Sequence, residues 1–307
     1  MRAQVVPRFQ PLTGVYEPSG IQQLADGRFI VIEDEEKHAL SLLRIADGQV
    51  HRTPLEAPFW PWSRGDFWHL DDLEGVTADQ AGHVYAITSH SRDGNGEVHA
   101  ARERLVRFRI EGDAVVEPQV VDSLKRALTA AHPALAVAAE IRDVKREGGL
   151  NIEALEMSAD QNRLLIGLRS PLLGGRAIVA SLENPRAIFD DGAKPQIASA
   201  LTTLDLAGNG IRAMAYAPCL AGYLLIGGPV ARQEVDFTLW FWSGAAHDRA
   251  RRVDIAGLPG LEHAEGVTQA RLDGQPRIVV VSDDGNRAAG RCARYLVLRP
   301  EELLIGP

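Results

Sequence analysis

Short apolar runs separated by turn dipeptides dominate the chain. Phe29-Ile30-Val31-Ile32 follows Asp26-Gly27, and Val84-Tyr85-Ala86-Ile87 follows Gly82-His83. Runs of this length, rich in β-branched and aromatic residues and bounded by Gly, Asp or Asn, are the pattern of strands, and Asp-Gly between two of them marks a hairpin. The pattern repeats. Glu17-Pro18-Ser19-Gly20-Ile21, Leu73-Glu74-Gly75-Val76, Ile152-Glu153-Ala154-Leu155, Ile211-Arg212-Ala213-Met214 and Ala264-Glu265-Gly266-Val267 each lead into a second apolar run. From the Glu-like position to the end of that run the spacing is nearly constant: 17 to 33, 74 to 89, 153 to 169, 212 to 228 and 265 to 282. Self-similarity at such a period is the signature of a repeat architecture.

Each unit continues into a second β-rich pair, such as Ala39–Ile45 with Gln49–Arg52, or Arg104–Ile110 with Ala114–Val116, joined at Asp47-Gly48 and Gly112-Asp113. Four short antiparallel strands repeated around an axis make a propeller blade. The expectation is therefore an all-β chain, a β-propeller of about five four-stranded blades in one domain over residues 1–307. A sixth, degenerate blade within 95–150 stays open. Two insertions interrupt the pattern. Ser123–His132 has helical spacing up to Pro133, so a short helical insertion near 121–149 is expected to cap one face near the channel. Pro58–His69, rich in Trp and Pro, reads as an ordered loop. The last blade holds about three strands before Pro300, which leaves Gln4–Gln10 to supply its outer strand and remove the free edge.

Composition narrows the function classes. Hydrophobic residues make up 45% and charged residues 24%, as expected of a packed globular chain. A net charge of -8 disfavours nucleic acid and anionic membrane surfaces, both of which need a positive patch. The first residues lack the apolar core of a signal peptide, and no run of about 18 apolar residues occurs, so the expected location is cytoplasmic. Cys219 and Cys292 share no metal or redox spacing and are expected to be reduced and partly buried.

Propeller geometry turns the repeat into a site, because the start of each inner strand and the end of its neighbour lie on one face. Glu17, Glu74, Glu153 and Glu265, with Arg212, are expected to ring the channel mouth. Glu33, Asp34, Ser89, His90, Arg169, Ser170, Ser282, Asp283 and Asp284 approach from the returning strands. Clustered carboxylates repel and require compensation. Three arrangements supply it: a Ca²⁺ held by Glu17, Glu74, Glu153 and Glu265; a structural ring of Glu–Arg ion pairs; or a small anionic ligand bound by Arg169 and Arg212, with His90 and Asp283 nearby. Ser89-His90 is no catalytic dyad, since adjacent strand residues point to opposite faces. His263 reads as a hydrogen-bonded loop residue and Asp283-Asp284-Gly285-Asn286 as a turn lacking the later Glu of a calcium loop. Trp240 and Trp242 share a face and pack between blades. No nucleotide-binding fingerprint is present, so no nucleotide cofactor is expected.

Gly148–Leu155 together with Gly167–Leu172 resembles DUF3616, a bacterial propeller family of unknown function, and the likeness extends over most of the chain. More distantly, the Glu-Gly units are similar to the phytase-like esterase propellers and the calcium-dependent lactonase propellers. That resemblance implies acidic residues at blade starts holding a metal ion in the channel. The chain departs from it where Ala154 follows Glu153 and where Arg212 replaces a Glu. Two functions follow as expectations: a metal-assisted hydrolase of an ester or phosphoester, or a non-catalytic propeller that binds a protein partner, its Glu/Arg ring purely structural. No catalytic residue is assigned by sequence.

Overall fold

The computed structural model describes residues 6–34, 39–46, 48–57, 65–231, 236–258, 260–261 and 263–307. Among these, the strands form five antiparallel sheets arranged as the blades of a propeller. Blade 1 is β2 (Pro18–Gln23), β3 (Phe29–Glu33), β4 (Leu40–Ala46) and β5 (Gln49–Pro54). Blade 2 is β6 (Leu73–Ala78), β7 (Val84–Thr88), β8 (Leu105–Glu111) and β9 (Ala114–Val121). Blade 3 follows as β10 (Asn151–Met157), β11 (Leu164–Ser170), β12 (Ala177–Leu182) and β13 (Thr202–Leu204). Blade 4 has five strands: β14 (Gly210–Ala217), β15 (Gly222–Gly228), β16 (Thr238–Trp242), β17 (Arg251–Ile255) and, from the far end of the chain, β21 (Leu303–Ile305).

Blade 5 is β18 (Ala264–Leu272), β19 (Gln275–Ser282), β20 (Arg294–Leu298) and β1 (Gln10–Pro11). Its outer strand does come from the first residues of the chain, but as Gln10–Pro11 rather than Gln4–Gln10, with Gln10 opposite Tyr295 and Pro11 opposite Arg294. Residues 95–150 hold no sixth blade. They contribute β8, β9 and three helices, α1 (Leu124–Ala131), α2 (Pro133–Glu140) and α3 (Val144–Glu147). Pro133 does not end the helical insertion. It opens α2 from the first helical position, where its missing N–H costs nothing. A fourth helix, α4 (Pro185–Asp191), was not anticipated, although Asn184-Pro185 and the left-handed Gly192 bracket it as start and stop signals.

Five apolar clusters hold the ring, one between each pair of neighbouring blades. Every residue of β10, an inner strand, and of β15, the second strand of its blade, is buried, because the strands nearest the axis are covered by neighbouring blades on both faces. Trp240 and Trp242 lie in the cluster between blades 3 and 4, which bears out their packing role. Leu124, Leu128 and Leu135 anchor α1 and α2 to the cluster between blades 2 and 3. Phe67, in the insertion after blade 1, packs edge-on against Phe108, while residues 58–64 of that loop lie outside the described residues. Both cysteines are free, and Cys219 is exposed rather than partly buried. No helix among the described residues is long and apolar enough to cross a membrane.

Candidate functional site

One irregularity recurs in all five inner strands, always at the same end. Between Pro18 and Gly20, Leu73 and Gly75, Ile152 and Ala154, Ile211 and Ala213, and Ala264 and Gly266, the ladder skips a residue. A bulged residue leaves the pleat and re-aims its side chain. The bulged residues are Ser19, Glu74, Glu153, Arg212 and Glu265, and all five line one axial cavity of about 390 Å³. Glu17, expected in this ring, is not part of it. Pro18 pairs with Glu33 and Gly20 with Ile32, so Ser19 takes the ring position and Glu17 precedes the strand.

The small residue after each bulge closes the floor. Gly20, Gly75, Ala154, Ala213 and Gly266 line a constriction of only about 10 Å³. A Cβ on Gly75 would stand 2.6 Å from the backbone nitrogen of Leu155, so the blades approach too closely for a side chain there.

Charges on the floor pair two against two. Glu153 Oε1 accepts from Asn151 Nδ2 at 3.0 Å, Arg169 Nη1 at 2.9 Å and Arg212 Nη1 at 3.2 Å. Arg212 also donates to Glu265, and Arg169 Nε donates to the Pro229 carbonyl at 2.9 Å. Burial lowers the Arg212 pKa in isolation, but Glu153 and Glu265 more than offset it and hold the guanidinium charged. Burial conversely lifts Glu153 above its ordinary value against the pull of both arginines. The forks of Arg169 and Arg212 are thus spent on the floor rather than free for an anionic ligand.

A second ion pair stands in the wall. Arg102 donates to Asp72, whose neighbour Ser91 donates at 3.4 Å. Desolvation would raise Asp72, yet the bond and charge of Arg102 outweigh it and keep this carboxyl low. Three acids remain without a cation of their own. Glu74 makes no hydrogen bond or ion pair with a described residue, and burial, then Glu153 and Asp72, push it well above its ordinary value. Asp34 lines the cavity and is exposed there, yet partial desolvation and the neighbouring Asp72 carboxyl push it up to about 8. Asp283 rises to about 7 through burial and the charges of Glu265 and Glu17. Burial and arginine bonds together explain which groups shift: the Arg102 bond keeps Asp72 low, whereas burial raises Glu74, Asp34 and Asp283, which lack an arginine bond among the described residues, and raises Glu153 even against its two.

Above this floor the helical insertion forms the rim, as expected of a cap near the channel. Arg142, Asp143, Lys145 and Arg146 line the upper cavity together with Arg92 and Asp93. Arg142 and Arg146 are 67% and 72% exposed at their side chains and make only loose or solvent-facing pairs with Glu97 and Asp143.

Several expected site residues lie elsewhere. His90 is fully buried outside the cavity lining. Its Nδ1 bonds the Thr88 carbonyl at 2.8 Å, and desolvation lowers its pKa to about 4. Glu33 is locked by the Tyr16 amide, Arg52 and Arg287. Ser89 bonds Ser91, and Ser170 bonds the Gly149 carbonyl. Ser282 bonds Asp284, which is held by Arg294, and Asn286 pairs with Arg291 in the turn expected there. His263 is an exposed loop residue whose carbonyl accepts from the Asp283 amide at 2.7 Å. The residues present do not fit the expected Ca²⁺. Glu17 is off the ring, Glu153 and Glu265 are bonded to arginine, and among the described residues no three His, Cys, Asp or Glu side chains are grouped to hold a metal ion. Sequence reasoning missed Asp72, Arg102 and Asn151. The signal for Asp72 was its place directly before Leu73-Glu74-Gly75, where it takes a left-handed backbone, φ 62°, and turns toward the axis.

A family model described as a protein of unknown function, DUF3616, matches residues 119–295. The chain belongs to this family. The matched DUF3616 segment runs from β9 through the middle of blade 5 and so contains the helical rim, Glu153, Arg169, Arg212 and Glu265. No curated protein matches the chain. Among solved structures, it is similar to the holo form of a pyranose dehydrogenase PQQ domain from Coprinopsis cinerea, with 10% identity over 97% of this chain and 98% of that one and a TM-score of 0.49. The PQQ-bound aldose sugar dehydrogenase from Streptomyces coelicolor aligns at 15% identity over 96% and 99% of the two chains, with a TM-score of 0.46. The periplasmic gluconolactonase from Pseudomonas aeruginosa aligns at 13% identity over 90% and 70%, with a TM-score of 0.43.

Proposed function

We propose that the protein is a hydrolase of a small polar ester, with its chemistry in the axial cavity and carried by the Asp34–Asp72 pair. The observation behind this is the juxtaposition itself: two carboxyls from neighbouring blades line the same cavity wall, close enough for Asp72 to raise Asp34, with Arg102 bonded to Asp72. Paired acids whose surroundings drive them apart divide the roles of acid and base. Asp72, ionised, takes a proton from water as the water oxygen bonds the acyl carbon. Asp34, protonated, gives its proton to the carbonyl oxygen. When the tetrahedral adduct collapses, the acyl–oxygen bond breaks. The proton on Asp72 passes to the leaving alkoxide, and Asp34 regains its own from the adduct hydroxyl. Both groups return to their starting states. This route uses no carboxylate-bound metal, in keeping with the donor set, and the acidic floor disfavours a phosphoester at its deep end.

The Glu153–Arg212–Glu265 chain supports a structural role for that part of the ring, as in the non-catalytic alternative. In the hydrolase it is the rigid floor. A panel of small polar esters and lactones tests the proposal. Wild type is expected to turn over a member of it, and Asp34→Asn to lose about 10²- to 10⁴-fold in kcat, the usual worth of a positioned proton donor, with its melting temperature preserved. Turnover unaffected by Asp34→Asn would place the chemistry elsewhere, and no turnover of any ester would leave a binding propeller.

A further inference from the structure

The cavity is polarised along its axis. Its lining includes Glu74, a carboxyl with no bonded partner among the described residues, and Asn151, which is 6% exposed and whose Oδ1 has no hydrogen-bond donor. Its outer end presents Arg142, Lys145 and Arg146 from the helical insertion, all exposed. Resting on the hydrolase reading, we infer that the ligand is dipolar: an ammonium or guanidinium group seated on Glu74 and the Asn151 oxygen, and a carboxylate or phosphate held at the rim by Lys145 and Arg146.

Both ends have an unmet need that one such molecule fills. At the floor, the two arginines answer only Glu153 and Glu265, so a cationic N–H group supplies the missing donor to Asn151 and the missing counter-charge to Glu74. At the rim, three cations stand within one turn of helix and its lead-in, with Asp143 the acid among them that also lines the cavity. A neutral polyol satisfies the hydrogen bonds of the floor but neither charge. A simple anion satisfies the rim and is repelled from the floor.

Seating a cation on Glu74 also has a readable signature. Burial and the neighbouring acids raise Glu74 in the free protein, and an ammonium seated on it favours the ionised form, so binding is expected to release protons. Neutral ligands release none.

The test is titration calorimetry of the full chain at pH 7 in buffers of different ionisation enthalpy, using ω-amino acids of three to six carbons and the alkylamines, alkanoates and polyols of equal length. The expected result is that an ω-amino acid binds at least tenfold more tightly than its matched amine or alkanoate, with proton release. Glu74→Gln, which keeps the shape of the protonated acid, is expected to abolish the release and to weaken binding at least tenfold. Lys145→Ala with Arg146→Ala should reduce the amino acid to the affinity of the amine. Polyol binding equal to that of the amino acids, or Glu74→Gln binding with wild-type affinity, overturns the dipolar ligand while leaving the hydrolase proposal standing. The absence of any probe binding, alongside ester turnover sensitive to Asp34→Asn, does the same. The absence of both overturns the two together.

Discussion

Glu156 shows what the interior does to a single acid. It lies on β10 facing away from the axial cavity, buried, accepting only from Thr77 Oγ1 at 3.2 Å among side chains. Burial is the dominant effect, and it raises this carboxyl to about 8 despite its hydrogen bonds. A group held above its ordinary value in the fold keeps a proton that the unfolded chain has already released. The stability it permits is therefore complete at low pH and falls as pH rises from 4.5 toward about 8. Glu156→Gln removes that dependence. Urea melts of the variant are expected to match wild type near pH 5 and to exceed it at pH 8 to 9, and a variant that tracks wild type across the range would contradict the assignment. Residue-level identity was the least legible part of the site. Glu17 stands out in the sequence because it is acidic, yet the feature fixed by physics is the small residue one step after the bulge. Aligning on Gly20, Gly75, Ala154, Ala213 and Gly266 selects Ser19, since these positions line the narrow floor and carry at most a methyl, with Gly75 too close to the Leu155 backbone for even that.

At the scale of elements, period-2 runs and turn dipeptides were enough to place the inner and middle strands, whose burial on both faces makes them continuous apolar runs. Strand β13 and helix α4 were harder to see, since three residues and seven residues carry little periodicity. The bulges were invisible, because a bulge is a relation between two strands and leaves no mark on one. Yet they create the ring by turning one side chain per blade to the axis. Arg212 ties three blades together there, bonding Glu153 of blade 3 and Glu265 of blade 5 from its own place in blade 4. Arg212→Met leaves Glu153 with Arg169 alone and Glu265 without an arginine among the described residues. Stranding a buried charge typically costs about 3–5 kcal/mol. Chemical denaturation should show a loss of that order with an unchanged denaturant slope, and a loss below about 1 kcal/mol would mean that water reaches the floor and screens the pair.

Across the whole molecule, closure sets the site. Segments distant in sequence are stitched into the last two blades, β1 into blade 5 and β21 into blade 4. That closure brings Asp34 of blade 1 and Asp72 of blade 2 to one cavity, a juxtaposition across a blade interface that the intra-blade repeat did not reveal. The charge ledger of the cavity is likewise a property of the assembled ring: Arg212 answers acids from the blades on either side of it, while Arg169 and Arg102 pair within their own blades. The measurement that bears most directly on the account is the pH dependence of kcat/KM for the best ester substrate. With Asp34 as the proton donor, kcat/KM is expected to fall above about 8, where that carboxyl ionises, and Asp34→Asn is expected to remove the alkaline limb along with most of the rate. A rate that stays level or climbs through pH 9, or a limb that survives in Asp34→Asn, would contradict it.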